Sequence, residues 1–264
     1  MSLYTLYVRT INQRFLKRVV RKLGKIVFGK DFISDNFENK ILIKKYVDGK
    51  TFVDIGALWG VHGENTFYAL DQGASKAVAM DVYDETEKFK NEKEKYGQKI
   101  LFVKGDINSE ETIQKVGEQD VTLFSGVLYH TPDPLHMLVN VRRITKETLI
   151  LNSASIPEVP GMKNVAVFYP HLNASQRAMW TRGIGNQKAI TTPYEPDAGY
   201  GNWFWGMTPS AIESMLMCAG FEVVERYVYN FRTVFVCKTI PSTLQLSSGP
   251  WTERRGPGER GFSW

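Results

Sequence analysis

Between residues 51 and 151, short apolar runs alternate with longer segments whose apolar residues recur at three- and four-residue intervals. The first pattern fits buried strands, the second helices with one apolar face. It predicts strands over 51–55, 76–80, 100–104, 120–124 and 148–151, with helices over 64–72, 110–116 and 134–144. Asp133 suits the N-cap of the last helix and Pro134 its first position. Such alternation implies an α/β domain: a mostly parallel, Rossmann-like sheet with helices on both faces. The pattern then lapses over 153–206, which is rich in Pro, Gly, Asn and aromatic residues. Connections that long are uncommon unless they serve a purpose, so this is a candidate substrate-binding insertion or lid. Order returns with a helix over 209–219, stopped by Gly220, and strands over 222–229 and 233–238 joined by a turn at 230–232. The domain is expected to finish on an antiparallel β-hairpin.

Upstream of the sheet the pattern is helical and amphipathic. Over 15–27, Phe15, Leu16, Val19, Val20, Leu23, Ile26 and Val27 share an arc of about 140°, and Lys17, Arg18, Arg21, Lys22 and Lys25 fill the opposite arc. A helix of this kind can dock on the body, lie in an anionic membrane surface or follow a nucleic acid. A second short helix is expected over 36–46. The domain organisation is then a basic arm over 1–46, an α/β domain over 47–240 and a tail over 241–264 rich in Pro, Gly, Ser and Arg, expected to be disordered.

Charge changes meaning once it is located. The chain carries +5 overall, but residues 1–30 hold eight Lys or Arg and no acid. Setting aside the arm and the tail leaves 22 basic against 26 acidic residues over 31–240, a net of −4. The basicity belongs to the arm, and an acidic body speaks against a broad nucleic-acid footprint. With 264 residues, 43% of them hydrophobic and 23% charged, the composition is that of a globular protein. Two cysteines, Cys218 and Cys237, make no disulfide framework, and no apolar run reaches the roughly 20 residues a membrane span needs. A cytoplasmic protein is expected, with possible membrane contact confined to 15–27. No His, Cys or carboxylate set has metal-ligand spacing.

Candidate chemistry concentrates where strands end. Phe52-Val-Asp-Ile-Gly-Ala-Leu-Trp-Gly60 is an apolar strand followed by a glycine turn and a helix, which brings backbone close to a ligand at the carboxyl edge of a sheet, although such a turn can also be only a tight connection. The second strand is followed by Asp81, whose carboxylate can accept hydrogen bonds from both hydroxyls of a ribose. Asp106, after the third strand, can meet an adenine amino group or serve as a turn or N-cap residue. A dinucleotide site needs small residues where the pyrophosphate meets the helix N-terminus, and Leu58 and Trp59 crowd that approach. S-adenosylmethionine has no phosphate and needs an acid on the ribose, an apolar slot for adenine and backbone for its aminocarboxylate. The expected cofactor residues are Asp54, Gly56, Ala57, Gly60, Asp81, Val82, Asp106, Ile107, Gly126 and Tyr129.

Asp54-Ile-Gly-Ala-Leu-Trp-Gly60, Asp81, Gly126-Val-Leu-Tyr-His-Thr-Pro-Asp-Pro-Leu135, Asn202-Trp-Phe-Trp205, Thr208-Pro-Ser210 and Ala219-Gly-Phe221 together resemble class I S-adenosylmethionine-dependent methyltransferases. Within them the chain is most similar to the branch holding the wobble-uridine carboxymethyltransferases of tRNA and their single-domain relatives. The resemblance covers about 52–238. It implies a seven-stranded sheet with the last strand antiparallel, the donor over the first two strand ends and the acceptor above the fourth and fifth. Leu58 stands where that family commonly has glycine, and the N-terminal extension is shorter than in the tRNA enzymes.

Methyl transfer is an in-line displacement at an activated carbon, so the protein mainly aligns the partners and excludes water. An acceptor hydroxyl needs further help, and His130, after the fourth strand, is the candidate general base or orienting group; the alternative is a histidine capping the turn before Pro132. Tyr129 is expected to pack on the donor's methionine portion. His171, Tyr200, Trp203 and Trp205, all in the insertion, are candidate acceptor contacts, and the aromatic residues can equally cover the core. The expected activity is methyl transfer to oxygen of a small molecule or glycan. The alternatives are modification of the tRNA wobble uridine, with a plain or carboxylated donor, and a non-catalytic binding module that keeps the fold.

Overall fold

The computed structural model describes residues 39–181, 193–229 and 231–241. The predicted helix over 15–27, the start of the one over 36–46 and the tail beyond 241 lie outside the described residues.

The elements follow the hydrophobic pattern closely. They run α1 Asn39–Tyr46, β1 Thr51–Ile55, α2 Glu64–Asp71, β2 Lys76–Asp81, α3 Glu87–Lys93, β3 Ile100–Lys104, α4 Glu110–Val116, β4 Gln119–Ser125, α5 Pro134–Ile144 and β5 Thr145–Ala154. The insertion holds β6 Ala166–Phe168, α6 Ala174–Thr181, a short helical segment Pro196–Gly201 kinked at Gly199 and β7 Trp205–Met207; then come α7 Pro209–Ala219, β8 Phe221–Tyr229 and β9 Arg232–Thr239. One seven-stranded sheet has the order β3-β2-β1-β4-β5-β9-β8. β1 to β5 pair in parallel, and β9 runs antiparallel to both β5 and β8. The expected fold class and closing hairpin are both present.

Side-chain alternation across the sheet divides the core. Val53 and Ile55 of β1, Leu149 and Leu151 of β5 and Phe235 of β9 face one side, where they meet Met137, Val141 and Ile144 of α5 and Ile212 and Leu216 of α7. Phe52, Ile150 and Val234 face the other, against Leu42 and Ile43 of α1 and Ala69 of α2. Burial on both faces explains why these strands read as continuous apolar runs. The caps also follow the sequence. The Asp133 carboxylate accepts the His136 N–H at 3.1 Å, Thr208 caps α7 through the Ala211 N–H, and Gly220 ends α7 at φ 95°.

Three differences have local causes. β5 extends back to Thr145, which pairs with Gln119 of β4, and on to Ala154, because Asn152, Ser153 and Ala154 pair with β9. α3 is polar except for Phe89, which is buried against Phe67 and Ile100, so one anchor fixes a helix that carries no periodic stripe. Within the insertion, β6 and β7 form a two-stranded sheet of three register pairs, too short to leave a pattern.

Candidate active site

β1 and β4 are neighbours at the centre of the sheet, and the strand order reverses between them. A crevice at the carboxyl ends of the strands is the geometric consequence. It is occupied by a cavity of about 460 Å³, within the roughly 300–1,000 Å³ of small-molecule sites. Asp54, Gly56, Asp81, Val82, Asp106, Ile107, Gly126, Tyr129, His130, Tyr200 and Trp203 all line it. Residues predicted from separate segments thus meet around one space.

The first two strand ends form its floor. Asp54 is buried on β1, where its Oδ2 accepts from the Thr66 hydroxyl at 3.1 Å. Burial pushes its carboxyl up to about 7; the Thr66 bond opposes this and the neighbouring Asp81 charge adds to it. Asp81, buried at the end of β2, accepts the Leu58 N–H through Oδ2 at 2.7 Å and the Tyr83 N–H through Oδ1 at 3.0 Å. Each carboxylate oxygen has a second lone pair, so two acceptor positions remain. Gly56 has φ 77°, and a Cβ there would lie 2.6 Å from Val127 Cγ2; only glycine lets this turn close against β4's exit loop.

Leu58 does not crowd the cavity. Its side chain is buried in the cluster with Phe67, Phe89 and Ile100, and Trp59 alone of the pair lines the wall. Trp59 is 74% exposed, with Tyr83 beside it at a centroid distance of 5.8 Å. Ala57 is buried in the same apolar cluster as Leu58, and Gly60 is exposed on the loop; neither lines the cavity.

At the β3 end, Asp106 takes the expected turn role and also lines the cavity. Its Oδ1 accepts the Asn108 N–H at 2.9 Å in a turn, and its Oδ2 accepts the Tyr200 hydroxyl. Burial and then the Asp106 bond push the Tyr200 phenol up to about 12, which keeps it a donor. Tyr200 therefore sits beside the acid expected for adenine rather than beside His130's turn.

Past β4, residues 128–130 make one helical turn that brings His130 to the wall. Its Nδ1 lies 2.8 Å from the Asn202 carbonyl oxygen, 72 residues away, rather than capping its own turn. A carbonyl only accepts, so Nδ1 carries the proton and Nε2 keeps a lone pair. Burial holds the imidazole below its ordinary value, with the Asn202 bond acting against it, which favours the neutral ring. Tyr129 is buried, stacks on Trp203 at 4.1 Å and is pushed up to about 12 by burial, with the Arg232 charge opposing.

Two candidate acceptor contacts lie elsewhere. His171 is exposed on a left-handed residue (φ 64°), its ring 5.5 Å from Tyr194. Trp205 donates its indole N–H to the Pro132 carbonyl at 3.0 Å and packs on Phe168, and it does not line the cavity that Trp203 lines.

Sequence reasoning missed a polar chain across the same crevice. Asn39 of α1 donates to Ser125 Oγ at 2.9 Å and accepts from Asn152 at 2.6 Å, and Asn152 Oδ1 accepts from Arg232 Nε at 2.8 Å. Asn39 and Ser125 line the cavity, so the helix before the sheet supplies part of its wall. No local motif marks these residues; only the unexplained Asn152 at a buried strand end offered a signal.

No family model matches the chain, and no curated protein matches it. Among solved structures, the 1,6-didemethyltoxoflavin-N1-methyltransferase of Burkholderia thailandensis, bound to 1,6-didemethyltoxoflavin and S-adenosylhomocysteine, is similar with a TM-score of 0.53 and 14% identity, over 91% of this chain and 92% of that one. The N-terminal domain of EvdMO1, crystallised with S-adenosylhomocysteine and D-fucose, is similar with a TM-score of 0.51 and 13% identity, over 85% of this chain and 96% of that one. With the strand order and closing hairpin, this likeness establishes that the chain has the class I methyltransferase fold.

Proposed function

We propose that the protein is an S-adenosylmethionine-dependent methyltransferase acting on an oxygen of a small-molecule or glycan acceptor. The observation that carries this reading is the meeting, around one cavity, of Asp81 with two open acceptor positions and His130 with a bare Nε2. The residues fit a phosphate-free nucleoside donor. Asp81 accepts from ribose hydroxyls, Asp106 and the buried Ile107 frame adenine, and the turn at Gly56 offers backbone to an aminocarboxylate. When bound, the donor supplies a methyl group on a sulfonium, which passes to the acceptor oxygen as the S–C bond breaks and the O–C bond forms. His130 Nε2 takes the hydroxyl proton and becomes an imidazolium stabilised by the Asn202 carbonyl on Nδ1. The apolar wall of Tyr129 and Trp203 keeps water from that bond-forming site.

The similar structures support a small acceptor: one has 1,6-didemethyltoxoflavin bound and the other was crystallised in the presence of D-fucose. The test is calorimetry with S-adenosylhomocysteine, followed by screening small hydroxylated and glycan acceptors with methyl-labelled donor. Stoichiometric binding and label transfer to an oxygen are expected. Absence of binding overturns the cofactor assignment, and label found only in tRNA overturns the acceptor class.

A further inference from the structure

Residues 200–203 run along the cavity from one chemical end to the other. Tyr200 donates to Asp106 Oδ2 and its phenol oxygen receives the Asn108 side-chain amide at 3.3 Å. Two positions later the Asn202 carbonyl takes the His130 Nδ1–H, and the next residue, Trp203, lies against both Tyr129 and His130, at 4.1 and 5.4 Å. One short strap therefore touches the acid at the β3 end and the imidazole at the β4 end.

The strap is built so that a movement of Tyr200 reaches His130. Asn202 is buried and locked into the preceding turn: its side chain donates to the Glu195 and Gly199 carbonyls at 2.7 and 3.1 Å and accepts the Glu195 N–H at 3.0 Å. The Asn202 side chain thus closes residues 195–202 into one hydrogen-bonded unit. Tyr200 itself sits between Gly199, at φ 48°, and Gly201. Glycine on either side leaves the local backbone permissive, so the phenol's hydrogen bonds, rather than backbone sterics, fix this unit over the cavity. Beyond the strap, the Phe204 N–H bonds the Tyr129 carbonyl at 2.9 Å, which ties its far end to the turn that carries His130.

We propose that Tyr200 is a positioning residue: its bond to Asp106 sets, through the hydrogen-bonded unit ending at Asn202, where the His130 imidazole is held. This rests on the reading of Asp106 and His130 given above. The strap makes alignment of the base depend on the side of the cavity that receives the adenine, so a donor seated against Asp106 and a correctly turned imidazole are two results of one contact network. The groups that face His130 are the Tyr129 phenol of its own turn, the Trp203 ring and Asn202 carbonyl of the strap, and, across the same cavity, Asp54, Asp81 and Asp106 of the sheet; Arg232 of β9 acts on Tyr129.

The test is the imidazole nitrogen NMR titration of His130 in the full chain, assigned with His130→Ala and compared between the parent and Tyr200→Phe, with thermal melting to confirm folding. In the parent the proton sits on Nδ1. In Tyr200→Phe the strap loosens, so the Nδ1–H tautomer loses population and the midpoint rises toward the ordinary histidine value as water reaches the ring. At saturating donor and acceptor, kcat falls about five- to tenfold, within what a small misplacement of a reacting group costs. Asn108→Ala, which removes the second contact to the phenol, gives a smaller change in the same direction. An unchanged tautomer and midpoint in Tyr200→Phe, or a loss confined to donor KM, overturns the proposal. The NMR readout needs no turnover, so it stands apart from a failure to bind donor or transfer methyl, which would instead overturn the functional reading.

Discussion

Asp81 holds the backbone of Leu58 by a 2.7 Å bond across 23 residues of sequence, so the acid that ends β2 also shapes the loop that ends β1. Its other oxygen holds Tyr83, and the exposed rings of Trp59 and Tyr83 are thereby set beside each other at the cavity mouth. One carboxylate organises the loop, the rim and the proposed ribose site together.

Asp81→Ala should therefore cost more than the hydroxyl contacts. Loss of two hydrogen bonds to a carboxylate, at about 1.5–3 kcal/mol each, weakens S-adenosylhomocysteine binding by roughly a hundredfold or more. Calorimetry reads this directly, and equal affinity in parent and variant would sink the ribose assignment.

The aromatic rim makes a separate prediction. A nucleoside donor seated on Asp81 covers part of Trp59, so donor or product quenches or shifts tryptophan emission. Trp59→Phe removes most of that signal, and Trp59→Ala weakens binding about two- to tenfold, the scale of one aromatic contact. A full emission change in Trp59→Phe would show that the signal comes from Trp203, on the same cavity's wall, and not from the rim.

What was legible in the sequence follows from distance along the chain. Asp54, Asp81 and Asp106 each stand at or just after a strand whose apolar run announces its end, so the cavity floor could be placed before any coordinates. Helix caps at Asp133 and Thr208 are equally local. The bonds Asn39–Ser125, Asn39–Asn152 and Tyr200–Asp106 join residues 86, 113 and 94 positions apart, and no periodicity encodes them. The insertion gave the least: Trp203 lines the cavity while Trp205 bonds the Pro132 carbonyl, 73 positions away, and nothing local in the sequence separates the two.

The base role proposed for His130 sets a pH dependence for turnover. Burial lowers its protonation midpoint below the ordinary histidine value, so the neutral, proton-accepting ring already prevails at neutral pH. The kcat/KM profile should rise as pH climbs through a midpoint below about 6.5 and then level. His130→Ala should lose about 10²–10⁴ in rate, the usual contribution of a general base, and should lose the acidic limb as well. A variant with the parent's rate and profile would remove His130 from the reaction.

Asp54 links the donor site to stability. Its carboxyl titrates near pH 7 in the folded protein against 3.8 for the unreacted side chain. Between those values the folded state holds a proton that the unfolded state has released, so stability falls as pH rises from about 4 to 7 and is flat above. Asp54→Asn has no such slope. Its stability relative to the parent should grow across that window, toward a gain on the order of 4 kcal/mol at pH 8 if the full shift is expressed. Chemical denaturation at pH 5 and pH 8 measures the difference. The same carboxyl should make donor binding pH-dependent, because a cationic donor favours the ionised form: affinity in the parent rises with pH through 7, and in Asp54→Asn it does not. Parallel stability curves for the two proteins, with equal pH dependence of binding, would mean that Asp54 is ionised in the fold, the Thr66 bond outweighing both burial and the Asp81 charge.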